Sequence, residues 1–287
     1  MKRIFSLLLT FAIILSMSIP AMASEIEAVP YTEEMAGDVF FYDAETGEIT
    51  GENGEPYSFE EIEFEVPVYD SSSEDGVAPA GDLFELYIIR GGLKKTSGGL
   101  FTWWFNVDCP TSPLDKPNIK LTAQLRGNFT NGSTFSNVGS SVYHTYKTNS
   151  EYGVDYTWTS TAKTGYYCFK YTLTDYDAGG VTQTKTTSSN LWNRTGHVWN
   201  YSFSDTGKTL PKPRADWTKG TIHQRPNGLA DTYYTTYTQM TGKTLDRSLY
   251  DVHHIQPLSY GGDNSYSNLI HLPKSLHSQV TGWFNGY

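Results

Sequence analysis

The sequence predicts an α+β molecule: an all-β antiparallel sandwich over residues 82–204, then a small C-terminal unit of two strands and a helix within 211–287. Three observations carry that prediction. Apolar residues alternate with polar ones in run after run, turn-forming clusters separate the runs, and the last forty or so residues read strand, loop, strand, helix. With 287 residues, 38% of them hydrophobic and 15% aromatic, the chain can bury at least one full core.

The first element expected is a secretory signal peptide at 1–23. Lys2 and Arg3 provide the charge, Ile4 to Ile19 the apolar run, and Ala21-Met22-Ala23 the small-x-small cleavage pattern. The mature chain then begins near Ser24 and is secreted or held at the cell surface. No other stretch is apolar enough to span a bilayer, so no stable membrane insertion is expected after cleavage.

Residues 24–81 read as an acidic pro-segment or spacer, with a small hairpin over Val39–Gly47 and linkers at Ser71–Gly76 and Ala78–Gly81. Charge divides the chain sharply. Residues 24–89 hold 19 Asp or Glu and no Lys or Arg, whereas residues 90–287 hold 19 Lys or Arg against 12 Asp or Glu. A basic C-terminal portion suits a polyanionic partner, because neutralising phosphates releases counterions. The acidic stretch is expected either to mask that surface or to act as a solvated spacer.

From Leu83 onward the two-residue period sets in. Its runs are Phe84, Leu86 and Ile88; Phe101, Trp103, Phe105 and Val107; Ile119, Leu121, Ala123 and Leu125; and Val154, Tyr156 and Trp158. Tyr167, Phe169, Tyr171 and Leu173 follow, then His197, Trp199, Tyr201 and Phe203. Aromatics that keep strand phase are expected to line the core rather than form a ligand platform. Cys109 and Cys168 are the only cysteines, and export would let them pair in a disulfide, stabilising the fold by about 4 kcal/mol.

Pro211-Lys212-Pro213-Arg214 breaks the strand pattern, and a short helix is expected from about Asn227 to Met240. Beyond it Tyr250–Ile255 reads as a strand, Pro257–Asn264 as a loop containing Gly261-Gly262, and Asn268–Leu272 as a second strand. Pro273 suits a first helical turn and Gly282 a helix stop. On that helix Leu276, Val280 and Trp283 form an apolar stripe, leaving His277 and Thr281 one turn apart beside it. Adjacent His253 and His254 place one imidazole on each side of the strand.

These residues, from Arg247 to His277, resemble the HNH endonucleases, with a ββα-metal fold similar to the nuclease domain of DNase colicins. The resemblance implies a metal-dependent phosphodiester hydrolase exported by a bacterium and acting on DNA or RNA. It implies His254 as general base, His253 and His277 as metal ligands, and Asn268 as the residue that ties the two strands together. Arg247 and Asp251 match the arginine and glutamate that precede the paired histidines in the colicins, with Asp standing for Glu; the resemblance implies the arginine near the phosphate, with the acidic residue orienting it or a ligand. Where the colicin pattern has a second helix histidine this chain has Thr281, so Mg²⁺ or Mn²⁺ is the expected ion, with Zn²⁺ or Ni²⁺ able to bind. His271 would substitute as a ligand only if its side chain faced the helix. An immunity or inhibitor protein is a further partner that the resemblance allows. A different class of function would be a cell-surface or envelope binding protein in which the motif is only a structural metal clip.

Overall fold

The computed structural model describes residues 59–287 except 71–77, 113–115, 131–132 and 221–222, together with the short strands Ile26–Glu27, Val29–Pro30, Phe40–Tyr42 and Ile49–Gly51. The signal segment and the Ser71–Gly76 linker lie outside the described residues. Phe40–Tyr42 pairs with Ile49–Gly51, so the expected acidic hairpin forms, with its return strand beyond Gly47.

Among the described residues, nine strands of three or more residues carry the sandwich: β1 (Phe59–Asp70), β2 (Ala78–Ser97), β3 (Leu100–Asp108), β4 (Ile119–Asn128), β5 (Val142–Tyr146), β6 (Tyr156–Thr161), β7 (Gly165–Asp175), β8 (Val181–Thr186) and β9 (Asn190–Trp192). One sheet runs β5-β4-β7-β8, with β9 on β7, Ser136–Asn137 on β4, and Ile26–Glu27 parallel to β5. The other runs β6-β3-β2-β1, with Val29–Pro30 beside β6. The core lies between them. Phe101, Trp103, Phe105 and Val107 meet Ile119, Leu121, Ala123 and Leu125, and Tyr167, Phe169, Tyr171 and Leu173 fill the same layer. Trp103 alone contacts the rings of Phe101, Tyr167, Phe169 and Trp192. The aromatics of these strands are therefore core lining, as their phase predicts.

Three sequence expectations change. The inward row of β2 is Tyr87, Ile89 and Leu93, not Phe84, Leu86 and Ile88. Both faces of that strand are apolar, so period alone cannot choose the row; the partner chooses it, since Ile89 lies opposite inward-facing Val107 while Ile88 lies opposite Asp108. The sandwich also begins before residue 82. β1, from the acidic segment, pairs along β2 with Phe64 and Val66 buried and Glu61, Glu63 and Glu65 outward, and the supposed linker Ala78–Gly81 is the start of β2. Finally, 197–203 is not a strand. It makes one bridge, Val198 to Trp192, and then sends Trp199, Tyr201 and Phe203 into a second core.

The expected disulfide is absent. Cys109 and Cys168 are both buried free thiols. Cys109 follows β3 inside the sandwich core, where its Sγ donates to Glu85 Oε2 at 3.1 Å, whereas Cys168 alternates with core-facing Tyr167 and Phe169 and so lies on the outer face, opposite Arg126. Two thiols on opposite sides of a sheet cannot meet. Burial pushes the Cys109 thiol up to about 11, which keeps it protonated.

After β9 the chain forms a two-residue hairpin, β10 (Ser204–Asp205) and β11 (Lys208–Thr209), then α1 (Leu229–Thr241), β12 (Tyr250–His254), β13 (Leu269–Pro273) and α2 (Lys274–Asn285). The α+β class holds. The hairpin β12-β13 pairs from Tyr250 opposite Pro273 to His254 opposite Leu269, with a helix packed on each side. Val280, Trp283 and Phe284 of α2 pack on Ile270 and Leu272, while Leu229, Tyr233, Tyr234 and Tyr237 of α1 pack on Val252 and Leu269. Helix α2 runs through Gly282, exposed on its outer face, and stops at Gly286 because Trp283 and Phe284 still have core to fill. The α2 core also takes Leu191 and Trp199, and Asn193 Nδ2 donates to the Trp283 carbonyl at 2.8 Å. The sandwich and the C-terminal unit thus share packing and hydrogen bonds. Among the described residues no helix is long and apolar enough to cross a membrane.

Candidate active site

Strand alternation sets the geometry of the site. On β12, Asp251 and His253 face α2 and Val252 faces α1, so His254, the last residue of the strand, emerges on the side opposite His253. His253 and His277 come together: their ring centroids are 5.2 Å apart at an interplanar angle of 77°. An imidazole nitrogen lies about 1.1 Å from its ring centroid and binds a transition metal at about 2.0–2.1 Å. Two rings sharing an ion at roughly right or tetrahedral angles therefore have centroids about 4.5–5.2 Å apart.

His253 is 7% exposed, and its Nε2 is buried with no hydrogen-bond partner. Burial pushes its pKa down to about 3, with His277, His254 and Arg225 adding to the shift, so the ring is neutral with a lone pair to offer. Asp251 Oδ2 lies 3.5 Å from His277 Nδ1, on the same side. Thr281, one turn on, is exposed. Among the described residues no group of three or more His, Cys, Asp and Glu converges as a metal cluster. A cation held here would have two imidazoles as its main protein ligands and several positions left for water or substrate oxygen.

His254 is held differently. Asn264 Nδ2 donates to the Gln224 carbonyl at 2.9 Å, which leaves Asn264 Oδ1 as acceptor for the His254 Nε2 hydrogen at 2.9 Å. The basic lone pair is then on Nδ1. Burial lowers the His254 pKa, Arg225 lowers it further, and the Asn264 bond and Asp263 oppose the shift, so the ring is deprotonated at neutral pH.

Asn268 pins the turn that carries His254. Its Oδ1 accepts from the Gln256 backbone N at 2.8 Å, and its Nδ2 donates to the carbonyls of Gln256 at 3.0 Å and Asp263 at 2.8 Å. Gly262 must be glycine, because a Cβ there would run into the Gln256 carbonyl, and Gly261 has φ +81°.

Arg247 does not meet Asp251. It forms an exposed ion pair with Asp231 on α1 and lies 4.8 Å from the Tyr234 ring centroid, away from the histidine pair. His271 faces α1, not α2, and so is not a substitute ligand. Its Nδ1 accepts from the Tyr233 hydroxyl at 2.8 Å and its Nε2 donates to Asp205 Oδ2 at 3.0 Å, which also accepts from Tyr237 at 2.7 Å.

No family model matches the chain, and no curated protein or solved structure is significantly similar to it. The site therefore rests on its own geometry.

Two residues that the sequence reading passed over belong to it. Arg225 donates from Nη2 to the Val252 carbonyl at 3.3 Å and is the cation whose field reaches both His253 and His254. Asn264 orients the His254 ring. Its place directly after Gly261-Gly262-Asp263 was the available signal; Arg225, well upstream of the motif, left none.

Proposed function

We propose that the chain is a secreted, metal-dependent endonuclease that hydrolyses the phosphodiester bonds of DNA or RNA. The observation that carries the reading is the approach of the His253 and His277 imidazoles to 5.2 Å, His253 buried and neutral, with a third histidine on the other side of the strand whose Nδ1 is kept as a base. His254 takes a proton from water at Nδ1 while Asn264 holds the opposite nitrogen, so proton transfer does not require the ring to turn. His253, through the orphaned Nε2, and His277 would hold the divalent ion, Mg²⁺ or Mn²⁺ in turnover. When bound, such an ion neutralises the scissile phosphate and the departing oxygen. Arg225 supplies a fixed positive charge for the phosphate, the role that the colicin likeness gave to Arg247. Asn268 keeps the base in place.

The test is plasmid incubated with the mature protein, with EDTA, and then with Mg²⁺, Mn²⁺ or Zn²⁺ restored. Nicking that EDTA stops and Mg²⁺ or Mn²⁺ restores is expected. Metal binding without cleavage under any of these ions would leave only a structural clip and end the nuclease reading.

A further inference from the structure

We propose that the outer face of the β5-β4-β7-β8 sheet is a nucleic-acid exosite that holds the sugar-phosphate backbone of a duplex beyond the stretch being cut. The choice of nucleic acid as occupant rests on the nuclease reading; the surface is independent of it. Lys120, Arg126 and Lys170 all fall on this face, because their neighbours Leu121, Leu125, Phe169 and Tyr171 point into the core. Between the cations, Thr172 and Thr174 of β7 share hydrogen bonds of 2.9 Å with Thr184 and Thr182 of β8, presenting ordered hydroxyls on a half-exposed surface. Glu27 pairs with Tyr143 at the far edge of this sheet.

The opposite sheet has the reverse character, since β1 turns Glu61, Glu63 and Glu65 outward. The sandwich is thus electrically two-sided. A polyanion is drawn to the cationic side and repelled by the other, and Lys, Arg and Thr are donors suited to phosphate oxygens. The face also leads to the catalytic unit. Tyr166, on the same side of β7, donates to the Pro213 carbonyl at 3.1 Å and packs into the α2 core. From Tyr166 to Thr174 the strand advances about 27 Å, enough for about eight base pairs.

The experiment uses the full chain carrying His254→Ala, in EDTA, so that binding is read without cleavage. Fluorescence anisotropy of a labelled duplex of about 20 base pairs is followed from about 50 to 200 mM salt. Lys120→Gln with Lys170→Gln should lower the slope of log affinity against log salt by about two and weaken binding about tenfold. Glu63→Gln, on the other face, should leave the slope unchanged. An unchanged slope in the double lysine variant overturns the exosite, as does a DNA-free self-association that the same variant abolishes, which would give the face to a second copy. Absence of plasmid cleavage by the parent protein with Mg²⁺ or Mn²⁺, alongside retained, lysine-dependent binding, would remove the nuclease reading and leave the surface standing.

Discussion

At the scale of single residues, the roles proposed for the three site histidines can be separated by experiment. His254→Ala should lower cleavage by about 10²–10⁴-fold while metal affinity, followed by calorimetry, stays within experimental scatter. His277→Ala should weaken metal binding by more than about tenfold as well as stop cleavage. If His254→Ala protein cleaves at the parent rate, the base assignment is lost. The pH dependence has a definite sign. His254 has its pKa lowered by burial, so activity should fall only below about pH 6.5 and remain flat through neutrality, as rate profiles would show. Stability follows the same direction. His253 and His271 are both held neutral by burial, so the unfolded chain binds more protons than the folded one once pH drops below about 6.5. Without metal, the melting temperature should drop by on the order of 5 °C between about pH 7.5 and 5. The lowered Asp205 pKa does not contribute in that window, because its stabilisation is lost only below the ordinary carboxylate range.

At the scale of elements, the β12-β13 hairpin depends on one side chain and one bare backbone position. Asn268→Ala removes three hydrogen bonds to the backbone of the turn, two of them part-buried, and should cost about 1–3 kcal/mol in urea unfolding. Cleavage should fall at least about tenfold, because the His254 ring loses its mount. Gly262→Ala should be comparably damaging through its clash with the Gln256 carbonyl. Much of this element was legible in the sequence. Strand limits fell within a residue of those expected, since Pro257, Gly261-Gly262 and Asn268 mark out the loop between the two strands. The helix stop was not legible: Gly282 faces outward, and only the presence of core beneath Trp283 and Phe284 carries the helix on to Gly286.

At the scale of the whole molecule, two expected boundaries disappear into shared packing. Phe64, from the acidic segment, is fully buried, so Phe64→Ala should destabilise the sandwich by about 3–5 kcal/mol in thermal or urea unfolding. A chain starting at Gly81 loses that residue and all of β1. The C-terminal unit likewise needs Leu191, Asn193 and Trp199 from before residue 211. A fragment spanning 211–287 should therefore lack a cooperative melt by circular dichroism, whereas a fragment with its own sharp transition would show that the second core closes without them.

The sequence by itself determined which residue types alternate, where turns must fall, and that His253, His254, an asparagine and a Gly-Gly turn share one hairpin, because strand periodicity and glycine sterics act over a few residues. It did not determine which apolar row of β2 faces inward, that Cys109 and Cys168 lie on opposite sides of a sheet, that His271 belongs to Asp205, or that Arg225 stands beside the histidines. Those were decided by tertiary structure. Each depends on which surface of an element another element covers, and that contact is made between residues far apart in the chain.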